Sequence, residues 1–485
     1  MTHVFAKVRH LPWIVCLVIL MAACSGGGSS SSAPDPEGTN ISTGAQGPDE
    51  EEGDTGEDGS DPDADLPGAD RGPQIPEDAF LQQRLSQHGV PSIKAFDAAA
   101  AQAALIRAQT ARLAPALAKK GWKFLGPRVV GGRVVDAAVD PQHKDGVYVA
   151  SSGAGLWYSA DAGQTFTSVW PTSVTHTMGA VAVASDGTVY AGTGETNPGG
   201  GSITYGGDGI YKSTDGGKTW DHVGLTSSGT IGRIMVDPKD PKRIWVAASG
   251  NLFVPGGQRG VYESTDAGKS WKLSFAPPNK TTGAVDITID PTSSDHVVAS
   301  LWDHQRKPDV RRYTGIGSGI WETTDGGKSW QRLGTDQGLP APSKDTGRIG
   351  VSFAPSDGKR IYAIYANNSS GAFQNFFTST NGGKSWSQAA GASNLGGSQS
   401  TYGWWFARIF VDPANADDLF VPGVSMYRST NGADSFTACC GSLHADQHIV
   451  VWDTHQGGDM YAGNDGGFYA STNNGTSFTK SDNEP

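Results

Sequence analysis

Cysteine is scarce in this sequence, with four residues among 485. Cys16 and Cys24 lie in an N-terminal segment with the features of a leader and its processing site, so only the adjacent pair Cys439-Cys440 remains for disulfides in the folded part. A long-range disulfide framework is therefore excluded, even in an oxidising compartment. For the adjacent pair, two free thiols are favoured over a strained ring between neighbours. Packing must stabilise the fold, and the roughly 365 residues after position 120 suffice for a large all-β core.

Long hydrophobic runs are also missing. The apolar stretch Leu11–Met21 is too short to cross a bilayer as a helix. It lies between two cations, Lys7 and Arg9, and the small residues before Cys24, which is the order of a secretory signal peptide. The end of this segment resembles a bacterial lipobox, which implies that Cys24 is acylated; an ordinary signal peptide with a chance cysteine is the alternative. We expect a leader over 1–24 and a lipid-anchored, extracytoplasmic protein of the cell envelope, at the outer membrane or cell surface.

Residues 25–75 contain almost no large apolar side chain and cannot offset the entropy of ordering, so they are predicted to form a disordered tether. The stretch 25–70 holds thirteen acids and no Lys or Arg. Without these and the two leader cations, residues 71–485 carry 36 acids and 35 bases, a net charge of −1. This balance, with no groove-reading helix and no nucleic-acid motif, argues against a nucleic-acid partner. No cofactor is predicted, because the many glycines fall in turns and not in a phosphate-binding loop.

A helical segment is predicted over 76–120. Asp78–His88 ends before Pro91, and Ser92 is placed to cap a second, Ala-rich helix that runs from Ile93 to about Ala118.

From Gly121 onward a pattern recurs at intervals of roughly 40–60 residues, the range of propeller blades. Its clearest part is a turn of the form Ser/Thr-x-Asp/Asn-x-Gly-x-Ser/Thr-aromatic, flanked by strands. The turn occurs at Ser159–Phe166, Ser213–Trp220, Ser264–Trp271, Thr323–Trp330, Ser379–Trp386, Ser429–Phe436 (with Ala433 in place of Gly) and Ser471–Phe478. Its residues are interpreted as structural. With two further strands in each unit, residues 121–485 are predicted to form an all-β, seven-bladed propeller of four-stranded blades, with Trp122–Leu125 pairing beside the last outer strand.

These turns resemble the Asp boxes of the BNR-repeat group, which includes sialidases, xyloglucan-cleaving glycosidases, sortilin-type receptors and photosystem assembly factors. Residues 121–485 are most similar to bacterial "glycosyl hydrolase, BNR repeat" or sortilin N-terminal-like proteins. The shared motifs are Gly131-Gly132-Arg133, Gly192–Asn197, Gly207–Ser213, His444–His448 and Gly463–Gly467. The resemblance implies the fold, but members of the group bind or cut very different molecules. Many continue into a second propeller, so the end at Pro485 fits a one-propeller form or a truncated product.

The catalytic motifs of these relatives are missing from this chain. Sialidase-like members carry Arg-Ile/Leu-Pro, which does not occur here. Xyloglucan-cleaving members carry a catalytic Asp in a Thr-Asp-Ile-Gly-Gly run, where this chain has Ser151–Leu156. The loop acids that remain as weak catalytic candidates are Glu195, Asp208, Asp303 and Asp465. For each of them a turn-capping or solvated role is favoured.

Basic residues at the starts of the innermost strands give a second candidate site. Alignment of the seven units places Arg133, Ala180, Arg233, Ala284, Arg348, Arg408 and His448 in corresponding positions. Around a propeller channel they would focus positive potential on an anionic ligand, or they would brace blades through local acids such as Glu195 and Asp465.

Two weaker ligand sites remain. His444, Asp446 and His448 alternate along a candidate strand, which would put them on one face and allow a divalent metal, although hydrogen-bonded roles within the blade are preferred. Tyr402, Trp404 and Trp405 form an aromatic cluster suited to stacking on sugars, although core packing is preferred. Taken together, the sequence favours an extracytoplasmic module that recognises a protein or a glycan. The alternative is a glycoside hydrolase with non-standard catalytic acids.

Overall fold

The structure, a computed structural model, describes the ranges 132–196, 206–307, 310–367, 373–399 and 402–481, together with positions 98, 101–102 and 105–106. The predicted leader, the tether and the closing strand Trp122–Leu125 lie outside the described residues. The five described positions before residue 132 are helical and exposed. No helix in the described part of the chain is long and apolar enough to cross a membrane.

Seven four-stranded antiparallel sheets follow one another along the chain, and we number them blades 1 to 7. Blade 1 is Val134–Val139, Val147–Ser151, Gly155–Ser159 and Thr167–Ser168, and blade 2 is Met178–Val183, Val189–Thr193, Ile210–Ser213 and Asp221–Gly224. Blade 3 is Ile231–Asp237, Asp240–Ala248, Gly260–Ser264 and Lys272–Phe275, and blade 4 is Thr282–Asp290, Ser293–Asp303, Gly319–Thr323 and Gln331–Leu333. Blade 5 is Thr346–Ala354, Asp357–Asn367, Phe373–Ser379 and Ser387–Gln388. Blade 6 is Phe410–Val411, Leu419–Val421, Tyr427–Ser429 and Thr437–Ala438, and blade 7 is Gln447–Trp452, Met460–Asn464, Gly467–Ser471 and Thr479–Lys480.

Short additional elements lie in the connections within and between blades. Blade 4 carries an additional hairpin, Gln305–Lys307 and Val310–Arg312, and a 3₁₀ turn at Thr335–Gln337 leads to blade 5. Between blades 5 and 6 lie a 3₁₀ helix and two one-turn α-helices, Ala390–Leu395, Gly396–Gln399 and Gly403–Phe406.

Burial decreases from the inner strands to the outer ones. The second strands of blades 1 and 2, Val147–Ser151 and Val189–Thr193, are buried at every position because neighbouring blades cover both of their faces. The outer strand of blade 1, Thr167–Ser168, is exposed. Blades 7 and 1 share one hydrophobic cluster, and Ser481 donates a hydrogen bond to the carbonyl of Gly163 across the closure. The prediction of a seven-bladed propeller with four strands in each blade is confirmed.

The repeated turns stabilise each blade through one hydrogen-bond pattern, seen clearly in blade 2. Ser213 Oγ donates to Asp215 Oδ1 at 2.8 Å and accepts the Gly217 amide at 2.8 Å. Asp215 in turn accepts the hydroxyl and amide of Thr219, which lower its pKa to about 2. Gly217 has a φ of 85°, a left-handed conformation that favours glycine. In the sixth turn Ala433 adopts the same conformation, with a φ of 76°.

Ser213→Ala is expected to lower the free energy of unfolding by about 1–3 kcal/mol, because it leaves the buried Gly217 amide without an acceptor. Thr214→Ala, one residue away and exposed, serves as the control and is expected to change stability by less than about 0.5 kcal/mol. Urea unfolding midpoints measure both variants. Equal midpoints for the two would contradict the structural role of the turn.

Candidate active site

The first strands of the blades surround a channel with a cavity of about 640 Å³. Its wall is formed mainly by apolar side chains such as Ala137, Val183 and Ile449. Proline residues in the turns between first and second strands also line it. Charged side chains gather around the start of the first strands. They form two groups, a ring across the channel and a cluster beside blade 1.

Four charges make the ring: Asp136, Arg233, Asp286 and Arg408. They occupy the same position in blades 1, 3, 4 and 6. The blades can be aligned at the first-strand residue that pairs with the first apolar residue of the second strand. These pairs are Val139↔Val147, Val236↔Ile244, Ile289↔Val297 and Val411↔Leu419. Each charged residue lies three positions before that first-strand residue. Two acids and two arginines therefore meet, and the ring carries no net charge.

Each member of this ring is held by its neighbours. Arg408 donates to the carbonyls of Val135 in blade 1 and Gly232 in blade 3, at 3.0 and 3.1 Å. Its guanidinium lies 3.9 Å from Asp136, and Arg233 lies 3.6 Å from Asp286. The ring therefore links blades across the channel.

The predicted correspondence of all four arginines is wrong. Arg133 lies six residues before Val139, and Arg348 lies five before Phe353, whereas Arg233 and Arg408 lie three before the equivalent residues. Arg133 precedes the first strand of blade 1, which begins at Val134, whereas Arg233 is the third residue of the strand Ile231–Asp237. Arg348 is buried and donates to the carbonyl of Trp405 at 3.0 Å. Because these guanidinium groups contact acids and carbonyls, they brace blades, and the argument for an anionic ligand is lost.

The second group is centred on Glu195, which follows the second strand of blade 2. Its Oε2 accepts hydrogen bonds from Arg133 at 2.9 Å and from Ser152 at 2.7 Å, both in blade 1. Gly194 places it there: Gly194 has a φ of 81°, and a Cβ on it would lie 2.0 Å from the carbonyl oxygen of Gly229. The turn therefore requires glycine directly before the acid.

Glu195 is only 2% exposed, and its burial raises the pKa of the carboxyl above its usual range, although Arg133 and Ser152 act in the opposite direction. The second oxygen, Oε1, is buried and has no hydrogen-bond partner in the described part of the chain. A carboxyl with these properties is suited to hold a proton and donate it.

Asp465, in the loop after the second strand of blade 7, contacts the other side of the same guanidinium. Its Oδ2 lies 3.9 Å from Arg133, and its Oδ1 accepts a hydrogen bond from His448 at 2.7 Å. The Asp465 side chain is 26% exposed and is therefore far more accessible than Glu195. Burial lowers the pKa of His448, so this imidazole is neutral and donates through Nε2. The loops of blades 7 and 2 thus bring two unlike carboxyl groups to one arginine on blade 1.

Trp405 completes the wall of this site. Its ring lies 5.4 Å from the Arg133 guanidinium carbon and 5.4 Å from the His448 ring, and its buried indole nitrogen has no hydrogen-bond partner among the described residues. Trp404, by contrast, is 1% exposed and stacks on Tyr313 with a centroid distance of 4.6 Å. Trp404 therefore belongs to the core, whereas Trp405 borders the group formed by Glu195, Asp465 and Arg133, which we call the acid cluster.

The remaining loop acids are held in turns. Asp208 accepts the hydroxyl of Tyr211 at 2.9 Å and binds Thr193. Asp303 is buried, which by itself raises its pKa, but hydrogen bonds from Arg312 and its other neighbours lower the pKa below the usual range. Neither acid shares a cation with a second carboxylate in the described residues.

The predicted alternation of His444, Asp446 and His448 along one strand is wrong. The strand begins at Gln447, and Asp446 has a φ of 65°, which turns the chain before it. His444 is exposed, whereas His448 is buried against Asp465. Within the described ranges no group of three or more His, Cys, Asp or Glu residues is arranged to hold a metal ion.

Sequence reasoning missed Ser152, Asp136 and Asp286. Ser152 lies directly after a buried second strand, in the same kind of loop as Glu195, and that position was an available signal. The two aspartates interrupt apolar first strands, where burying a charge without a partner would lower the stability of the fold. Their presence there was therefore a signal that each has a buried partner.

Comparison with known proteins agrees with the fold. Residues 208–370 match the family described as "Sortilin, neurotensin receptor 3". A xyloglucanase, Xgh74A of Acetivibrio thermocellus, is 25% identical over 332 residues, 61% of this chain and 33% of that protein. An oligoxyloglucan-reducing end-specific xyloglucanase of Emericella nidulans is 26% identical over 362 residues, 67% of this chain and 40% of that protein. The solved structure of an ancestral GH74 enzyme has a TM-score of 0.52 at 18% identity, covering 75% of this chain and 47% of that one.

These matches and the seven blades identify the folded part as a BNR-type β-propeller. The chain spans less than half the length of these two curated relatives. Both are named as xyloglucanases, which contradicts the preference for a non-catalytic recognition module and favours the hydrolase alternative.

Proposed function

We propose that this BNR-type propeller is a glycoside hydrolase that acts on an extracellular polysaccharide, with a xyloglucan-like β-glucan as the first substrate to test. The observation that carries the proposal is the sharing of Arg133 by Glu195 and Asp465, two carboxyl groups in different environments. The similarity to xyloglucanases supports the substrate class.

Glycosidases need two carboxyl groups on either side of the scissile bond, one protonated and one ionised. Glu195 supplies the acid, since burial favours its protonated form. Asp465 supplies the carboxylate, because it accepts a hydrogen bond from His448 and lies beside a guanidinium. Since both contact the same Arg133, their nearest oxygens are at most about 10 Å apart, an upper limit that is compatible with the separations glycosidases use. Asp465 then acts as nucleophile or as base toward water.

The decisive experiment is a panel of xyloglucan, cellulose, mixed-linkage β-glucan and chitin oligosaccharides, scored for reducing-end release and for binding. The expected result is release from at least one β-glucan by the wild-type protein and loss of release in Glu195→Gln and Asp465→Asn with binding retained. Binding without release by the wild-type protein on every member of the panel would overturn the proposal.

We also propose that the hydrolase works outside the cytoplasm, held at the cell envelope through Cys24. Cys24→Ser is expected to abolish incorporation of labelled fatty acid, because it removes the thiol that carries the lipid. Cys16→Ser, inside the leader, is the matched control and is expected to leave labelling unchanged. Labelling that persists in the Cys24 variant would contradict the anchor.

A further inference from the structure

Cys439 and Cys440 directly follow the outer strand of blade 6 and take no part in the acid cluster. Both side chains are partly exposed, and both are free thiols. The amide of Cys439 donates to the carbonyl of Met426 at 2.9 Å, which holds this residue against the rest of blade 6. Cys440 has a φ of 65°, the left-handed region that residues with side chains rarely adopt. The chain is therefore held in an unusual conformation at the thiol pair.

The two thiols interact with each other. The interaction between the neighbouring thiols lowers the pKa of Cys440 and, together with burial, raises the pKa of Cys439. The Cys440 thiol also donates a hydrogen bond to the carbonyl oxygen of Gly475 at 3.6 Å, which holds it against blade 7. Cys440 is therefore the more readily ionised of the two neighbouring thiols.

Arg428 lies on the strand next to the outer strand that leads to the pair, where it pairs with Thr437. Arg428 binds Asp418 at 2.6 Å and donates to the carbonyl of Asn474 at 2.8 Å, which fixes its position at the junction of blades 6 and 7. Its charge interacts with the Cys440 sulfur and favours the thiolate. A partly exposed cysteine next to a fixed cation has the features of a reactive thiol and not of an inert core residue.

We propose that Cys439 and Cys440 form a reversible oxidation site that reacts with small organic disulfides by thiol–disulfide exchange. The Cys440 thiolate attacks one sulfur of the small disulfide, and the other sulfur leaves as a thiolate that takes up a proton. The Cys439 thiol then loses its proton and attacks Cys440 Sγ, which breaks the mixed disulfide and releases the second small thiol. In total, the cysteine pair is oxidised by two electrons and the small disulfide is reduced to two thiols.

The product is expected to be easily reduced. Neighbouring Cα atoms lie about 3.8 Å apart, whereas the Cα atoms of ordinary disulfides lie about 4.4–6.8 Å apart. A disulfide between neighbours is therefore strained, and strained disulfides have more oxidising potentials. The disulfide should form with excess oxidised reagent and should be reduced again by modest amounts of thiol.

The test uses the full chain, oxidised glutathione as the probe, and mass spectrometry of tryptic fragments. The fragment 429–480 contains both cysteines of the pair and no other cysteine. Wild-type protein is expected to lose two hydrogens in this fragment without retaining glutathione, and thiol treatment should restore them. Cys439→Ser should trap glutathione on Cys440, and Cys440→Ser should react at least tenfold more slowly.

Arg428→Gln in the Cys439→Ser background should move the rate–pH profile of adduct formation to higher pH, and Arg360→Gln, on blade 5, is the control that should not. Equal rates for the two cysteine variants, or stable glutathione adducts on the wild-type fragment, would overturn the proposal. Activity on glycans is not needed for either readout, so the outcome is independent of the proposed hydrolase function.

Discussion

Glu195→Gln is expected to lower kcat on the responsive glycan by roughly 10²–10⁴-fold, with a smaller effect on KM. General acid catalysis contributes about this much, and glutamine has the shape of glutamate but no proton that it can donate to the leaving oxygen. Glutamine keeps acceptors for Arg133 and Ser152, so the loop after blade 2 should retain its position. Reducing-end release under saturating substrate measures the effect, and thermal melting verifies the fold.

Asp208→Asn is the matched control for this experiment. Asp208 belongs to the same blade but binds Thr193 and Tyr211 instead of Arg133, so its variant is expected to retain activity. If Asp208→Asn and Glu195→Gln reduce kcat equally, the assignment of the acid is wrong.

The pH profile gives a separate check. The pKa of Glu195 is raised by burial, so the carboxyl stays protonated to higher pH than an exposed glutamate. Activity that depends on the protonated form is expected to fall as pH rises through this pKa. Arg133→Gln removes an opposing charge and should move that decline to higher pH. A shift to lower pH would contradict the electrostatic role assigned to Arg133.

The fold could be predicted from the sequence because the Asp-box turn is local. Ser213, Asp215 and Gly217 satisfy one another within five residues, so their spacing alone encodes the turn. The alignment of Arg133 with Arg233 failed because each precedes a β-branched residue, but Val134 begins its strand whereas Ile234 is the fourth residue of Ile231–Asp237. The sequence named Glu195 and Asp465 as possible partners of the arginines, and both contact one of them, but that they share Arg133 depends on the closure of blade 7 against blade 1. That contact joins residues far apart in sequence, and no local pattern reports it.

The second large effect is expected in the charged ring across the channel. Arg408→Met should lower the free energy of unfolding by about 3–5 kcal/mol, because it leaves Asp136 as a buried charge without its closest cation. Methionine fills much of the volume of arginine, so the loss should reflect charge and hydrogen bonding more than a cavity. Lys344→Ala, at an exposed ion pair with Asp345, is the control and is expected to cost at most about 1 kcal/mol. Urea unfolding at fixed pH measures both.

The origin of this loss can be separated by a second substitution and by pH. Asp136→Asn can still accept the Val181 amide, so Arg408→Met combined with Asp136→Asn should be more stable than Arg408→Met alone.

Burial raises the pKa of Asp136, and Arg408 opposes that shift, so the pKa should rise further without the arginine. A group with a raised folded-state pKa favours folding below its unfolded pKa, and this contribution disappears as pH rises through the folded pKa. The deficit of Arg408→Met relative to wild type should therefore be smaller at about pH 5 than at about pH 8. A deficit that is independent of pH, with no rescue by Asp136→Asn, would show that Arg408 stabilises the channel by packing and carbonyl contacts alone.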